Sequence, residues 1–252
     1  MSTAQGIGFF SLGVPPDRYH LPHPSRGLPV ILLIRRVLMR AFEILRAESF
    51  PLATAKEDEV TAALRSTVEN NLRQTGEVRG FNKRTFEMVV RQGQWTNYNG
   101  TVLTKTPDLF FKLRDDEGRR TGVLSEFDGL FIEAKPVDST HPAGSKYCDD
   151  GLIRFVRGDY AWAMPEAMML AYARKGRTIT DHLVPAMKAK PRMTSLQTRE
   201  LPRPLSAQAG ATPHTEVLHV SKHTRGFPWP SGKGQASDLT VFHLWEVCDS
   251  AL

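Results

Sequence analysis

Cysteine is scarce in this chain. It has two, Cys148 and Cys248, among 252 residues, with no Cys-x-x-Cys and no Cys/His pair at zinc-finger spacing. A disulfide framework and a structural zinc site are therefore not expected, and two free thiols suit a reducing, cytoplasmic setting. Long apolar runs are also missing. The most apolar stretch, Val30–Ile34, is cut by Arg35-Arg36, far short of the ~20 residues that cross a bilayer. The first residues show no basic segment followed by an apolar core, so no secretory leader is expected. There is no internal repeat. Charge is uneven: 33 Lys and Arg against 27 Asp and Glu give a formal net charge of +6. That balance favours an anionic partner, of which nucleic acid is the simplest.

The pattern predicts a single α/β domain over 1–252, with an extended arm at 1–29, a core at 30–175, a basic loop at 184–214 and a β extension at 215–252. Pro15, Pro16, Pro22, Pro24 and Pro29 argue against helix in the arm. Val30, Ile34, Val37, Leu38, Ala41, Ile44 and Leu45 recur at helical spacing, predicting a helix over 30–48. A second helix is predicted over Thr54–Arg73, with Val60, Leu64, Val68 and Leu72 in one stripe. Glu57 projects onto that stripe, and Glu69 lies to one side. Strands are predicted at Phe86–Arg91, at Leu109–Arg114 and within Val123–Lys135, the last ended by Pro136, with a turn at Asp115–Gly118. Leu152–Arg157 and a segment reaching about Ala173 read as two helices. The proline-rich, basic stretch 184–214 reads as a long loop. Glu216–Ser221 and Leu239–Val247 read as a C-terminal β-hairpin, and His219, His223 and His243 as ordinary sheet positions. Trp95 and Tyr98 flank a turn and read as packing residues.

The chemistry concentrates in two short stretches. Pro107-Asp108 opens an apolar run, and Glu133-Ala134-Lys135 closes another. Residues two apart in a strand share a face, so the Glu133 carboxylate and the Lys135 ammonium would lie side by side. A second carboxylate brought near would make an all-oxygen site of the kind hard divalent cations take.

Which aspartate supplies that carboxylate depends on register. A tight hairpin centred near Glu117 would leave Asp108 about seven residues, at ~3.3 Å each, from Glu133. A wider excursion over 115–126 would pair Arg114 with Phe127 and set Asp108 opposite Glu133. Alternatively Asp128 serves, provided a bulge at Gly129 turns it to the other face. Good pairing of Leu109–Leu113 with Phe127–Ile132 speaks for Asp108, and Asp128 remains open.

This arrangement resembles the PD-(D/E)xK, or restriction-endonuclease-like, nuclease superfamily, over residues 57–175. The resemblance implies a mixed sheet of about five strands flanked by helices. It implies a nuclease that hydrolyses phosphodiester bonds with Mg²⁺ or Mn²⁺, with DNA the favoured substrate. In the site so implied, Asp108 and Glu133 hold the ion, the Ala134 carbonyl or Asp128 adds a ligand, and Glu57 on the preceding helix assists. Lys135 orients water or stabilises phosphate charge. Lys146, Arg154, Arg157, Lys222 and Arg225 are the candidate nucleic-acid contacts. Such cores often work beside other subunits, in bacterial antiviral defence or in mobile elements. The competing reading is a non-catalytic module on the same fold that binds nucleic acid or a partner protein.

Overall fold

The computed structural model describes residues 20–114, 125–205 and 210–249. The predicted turn at 115–118 and most of the predicted arm lie outside those residues. The chain forms an α/β fold around one seven-stranded mixed sheet, not the expected five strands. The strands are β1 (Phe86–Arg91), β2 (Leu109–Leu113), β3 (Gly129–Val137), β4 (Glu166–Ala173), β5 (Thr198–Pro204), β6 (His219–His223) and β7 (Leu239–Val247). They lie in the order β1-β2-β3-β4-β7-β6-β5. The centre, β3-β4-β7, is parallel; both wings are antiparallel.

Two long helical segments cover one face. Helix α1 (Leu28–Ala47) has proline in its first turn, where the missing N–H costs nothing. Helix α2 (Glu57–Thr67) starts with three acids in its first turn, matching the positive end of the helix dipole. It runs on through a wider π turn, Val68–Leu72. Ile34, Val37, Phe42, Val60 and Leu64 pack there against Ile132, Leu170 and Tyr172. A helical stretch of π character, Ala143–Leu152, leads into α3 (Ile153–Arg157). It covers the other face with Tyr147, Leu152 and Phe155 against Phe131, Met169 and Trp245.

Four sequence expectations change here. Glu166–Ala173 is a strand, although its Ala, Met, Leu and Glu favour helix. All eight residues are buried, as a central parallel strand demands, and burial on both faces outweighs local preference. Pro136 does not end β3. The Ala134 N–H faces the β2 side, so by strand alternation the Pro136 nitrogen faces that side too. There β2 has already stopped, and no ladder bond is lost. The stretch read as a loop holds α4 (Val184–Lys188), α5 (Lys190–Ser195) and β5. Pro185 and Pro191 sit in first turns of helices and Pro202 and Pro204 on an edge strand, where proline is tolerated. Finally, the predicted C-terminal hairpin is the β6–β7 pair, but β7 also joins β4, so it belongs to the core sheet.

The described end of the arm is packed. Ser25 Oγ donates to Glu166 Oε2 at 2.7 Å, and Arg26 pairs with Asp128. Trp95 packs on Phe110 and Phe131, and Tyr98 stacks on Phe227, so both are packing residues. The three histidines are buried sheet residues. His223 and His243 belong to a fully buried polar chain. His223 Nδ1 lies 2.8 Å from the Leu196 carbonyl and so carries its proton. Ser221 Oγ, 2.8 Å from both His223 Nε2 and His243 Nε2, must then donate to the first and accept from the second. That leaves His243 Nδ1 to accept from the Tyr147 hydroxyl at 2.9 Å. One donor direction satisfies every member.

Candidate active site

The site forms where the sheet steps. Leu109 of β2 pairs with Ile132, while β3 continues to Val137 alongside β4. This is the wide-excursion register, and it sets Asp108 at the level of Glu133. Where β2 is absent, the Asp108 carboxylate takes its place: Oδ2 accepts the Ala134 N–H at 2.7 Å. The N-terminal turn of α2 closes the same corner and brings in Glu57.

Lys135 Nζ sits at the centre. It lies 2.6 Å from Glu57 Oε1, 2.9 Å from Glu133 Oε1 and 3.4 Å from Asp108 Oδ2. Glu133 is completely buried. Arg154 Nη1 reaches its Oε1 at 3.0 Å, and the buried Tyr160 hydroxyl donates to its Oε2. Three carboxylates thus face two cations.

Burial, then the neighbouring Asp108 charge, pushes the Glu133 carboxyl up to about 7, against the pull of Lys135, Arg154 and Tyr160. Burial also raises Glu57, opposed by Lys135. Burial lowers Lys135, but the three carboxylates outweigh it and hold the ammonium charged, above its ordinary range. Tyr160 is raised well above its usual value by burial and then by the Glu133 charge, so its hydroxyl remains a donor.

The cluster opens onto a cleft of about 490 Å³ lined by Lys56, Glu57, Lys135, His141, Lys146 and Arg154, among others. Of the expected nucleic-acid contacts, Lys146 and Arg154 line it. Arg157 is exposed but is not part of its lining. Lys222 lies on β6, across the sheet, paired with Glu200 at 2.7 Å. Arg225 corrects the expectation: it is 2% exposed, and its guanidinium donates to the carbonyls of Ser237 and Trp162. Burial lowers it to about 10. A glycine- and proline-rich surrounding read as a surface loop; the structure makes Arg225 an internal tie. Asp128 also stays apart from the cluster, its carboxylate taken by Arg26. Glu69 is spent on the Val89 N–H at 2.6 Å and on Arg73, which leaves Glu57 as the helix glutamate at the site.

Sequence reasoning missed Tyr160 and Gly151. Tyr160 follows α3 by three residues and carries no motif. A Cβ on Gly151 would lie 2.9 Å from Met169 Cε and 3.4 Å from Lys135 Cγ. Glycine there lets the covering helix lie directly on the strand that holds Glu133 and Lys135.

Among the described residues, no three His, Cys, Asp or Glu side chains are already gathered as a metal site. The donors are nonetheless of one kind. Three carboxylates converge on one cationic nitrogen with a deficit of positive charge, which is the chemistry a hard divalent ion satisfies. Gathering them on an ion requires the Lys135 ammonium to withdraw from their centre. Compared with family models, with curated proteins and with solved structures, the chain matches none.

Proposed function

We propose that this chain is a divalent-metal-dependent nuclease of the PD-(D/E)xK kind, with a restriction-endonuclease-like core and DNA as the favoured substrate. One observation carries the reading: β2 ends opposite Ile132, so Asp108, Glu133 and Lys135 meet at a step in the sheet, beside a cleft. Glu57, Asp108 and Glu133 would hold Mg²⁺ or Mn²⁺. The ion would supply an activated water and neutralise phosphate charge. The residues do the rest. The Lys135 ammonium, displaced from the acids, reaches toward the phosphate and stabilises the charge that builds on it. Arg154 and Tyr160 fix Glu133. Lys146 and Lys56 offer positive charge to the nucleic-acid backbone along the cleft.

The test is cleavage of plasmid DNA and of labelled DNA and RNA oligonucleotides, with and without Mg²⁺ or Mn²⁺. Asp108→Asn and Glu133→Gln keep side-chain shape and are expected to lower kcat by about 10²-fold or more. Full activity in the double variant would refute the reading.

One observation favours the non-catalytic alternative. Glu133 is fully buried and engaged at both oxygens, so a ligand must displace an existing partner to reach it. A binding module would show salt-sensitive nucleic-acid affinity and no product.

A further inference from the structure

The cleft holds a second proton-handling group besides the acidic cluster. His141 lies in the short connection after β3 and lines the same cleft as Glu57, Lys135 and Arg154. Its Nδ1 is 3.0 and 3.1 Å from the two oxygens of Asp138. Asp138 is itself buried and fixed by three further donors: the Thr140 hydroxyl at 2.7 Å and the N–H groups of Thr140 and His141 at 2.8 Å. Burial works against its charge, but hydrogen bonds from Thr140 and His141 prevail and keep it well below the ordinary carboxylate range. A carboxylate so held places the imidazole proton on Nδ1 and leaves Nε2 on the far side of the ring. The ring is 41% exposed, and no hydrogen bond joins Nε2 to a described residue.

Resting on the hydrolase reading, we propose that His141, oriented by Asp138, is the general acid that protonates the leaving oxygen of the scissile phosphodiester. Water attacks phosphorus and forms the new P–O bond. The bridging P–O bond breaks, and its electron pair stays with the departing oxygen. The proton on His141 Nε2 transfers to that oxygen. The proton lost by the attacking water goes to solvent, and His141 is reprotonated from solvent. An Asp–His pair beside the cleft suits this step, because the carboxylate holds the ring and fixes which nitrogen faces the substrate.

The test uses oligodeoxynucleotides whose scissile linkage carries sulphur in place of the 3′ or the 5′ bridging oxygen. A thiolate departs without a proton. His141→Asn and His141→Gln are expected to lower kcat on the all-oxygen substrate by about 10²-fold or more. They should stay within a few-fold of the parent protein on one of the two sulphur substrates. Asp138→Asn should fall between, with the same rescue. Equal losses on oxygen and sulphur substrates overturn the proposal, as does a rise in KM with kcat unchanged. A parent protein that cleaves none of the substrates sinks the nuclease reading itself, a different result from active parent protein with no sulphur rescue.

Discussion

Lys135 is the residue on which the corner depends. It is nearly buried, and its ammonium holds together three carboxylates that would otherwise repel one another. Removing one partner of a buried ionic group typically costs about 3–5 kcal/mol. Lys135→Ala is therefore expected to lose stability of that order at pH 7.5 in urea unfolding. At pH 5.5 much of the loss should return, because Glu133, raised to about 7, is protonated there and no longer depends on the cation. An equal loss at both pH values would show that the ammonium is not holding the acids. At this scale the sequence was informative. That Glu133 and Lys135 share a face was legible from their spacing, whereas Asp108 was preferred over Asp128 only with the help of strand pairing and the Pro-Asp resemblance. Glu57 was legible from its helix face. Tyr160 was not, since a contact made between elements leaves no periodic trace in the chain, and the Asp138–His141 pair was not, since it lies three residues apart in a connection with neither helix nor strand period.

Elements were read unevenly, for physical reasons. Helix α1 followed its apolar period, and strands β1 and β2 their β-branched, aromatic and apolar content. The central strand β4 did not, because burial on both faces removes the alternation that marks a strand. Segment 184–204 was misread because proline there marks helix starts and an edge strand. The fit of the covering helix on β3 is a packing matter that only the structure exposes. Gly151→Ala adds a methyl group against Met169 and the stem of Lys135. Overpacking of this kind costs about 1–3 kcal/mol. The variant should unfold at lower urea, and, on the nuclease reading proposed above, any DNA cleavage should fall further than stability, since the strand carrying Glu133 must give way. A variant as stable as the parent protein would show that the helix can shift freely.

Over the whole molecule, buried titratable groups pull stability in opposite directions with pH. Burial raises the carboxyls of Glu126, Glu133 and Glu246 to about 7. Between roughly pH 4.5 and 7 the folded state then keeps protons that the unfolded chain has released, so these groups lower stability as pH rises. Burial depresses His223 to about 4 and His243 well below its usual value. In the unfolded chain they bind protons below about 6.5, so they raise stability over nearly the same window. The two sets offset each other, and single variants separate them. Glu246→Gln should gain Tm relative to the parent protein as pH climbs from 5 to 7.5. A constant difference across that range would mean the Glu246 carboxyl is ionised throughout. No described helix is long and apolar enough to cross a membrane. The parallel centre could not be read from sequence, because it joins segments far apart in the chain, Ile132 with Met168 and Glu166 with Thr240.

The buried file from Tyr147 through His243, Ser221 and His223 to the Leu196 carbonyl runs in one sense only. Replace any member by an apolar residue and a neighbour is stranded in the interior, at about 1–3 kcal/mol. Such an array is hard to leave one letter at a time. A lineage carrying it either keeps the whole set or abandons it by several simultaneous changes. Variation in this chain should therefore gather at the rims of the sheet and spare the layer between β4 and β6.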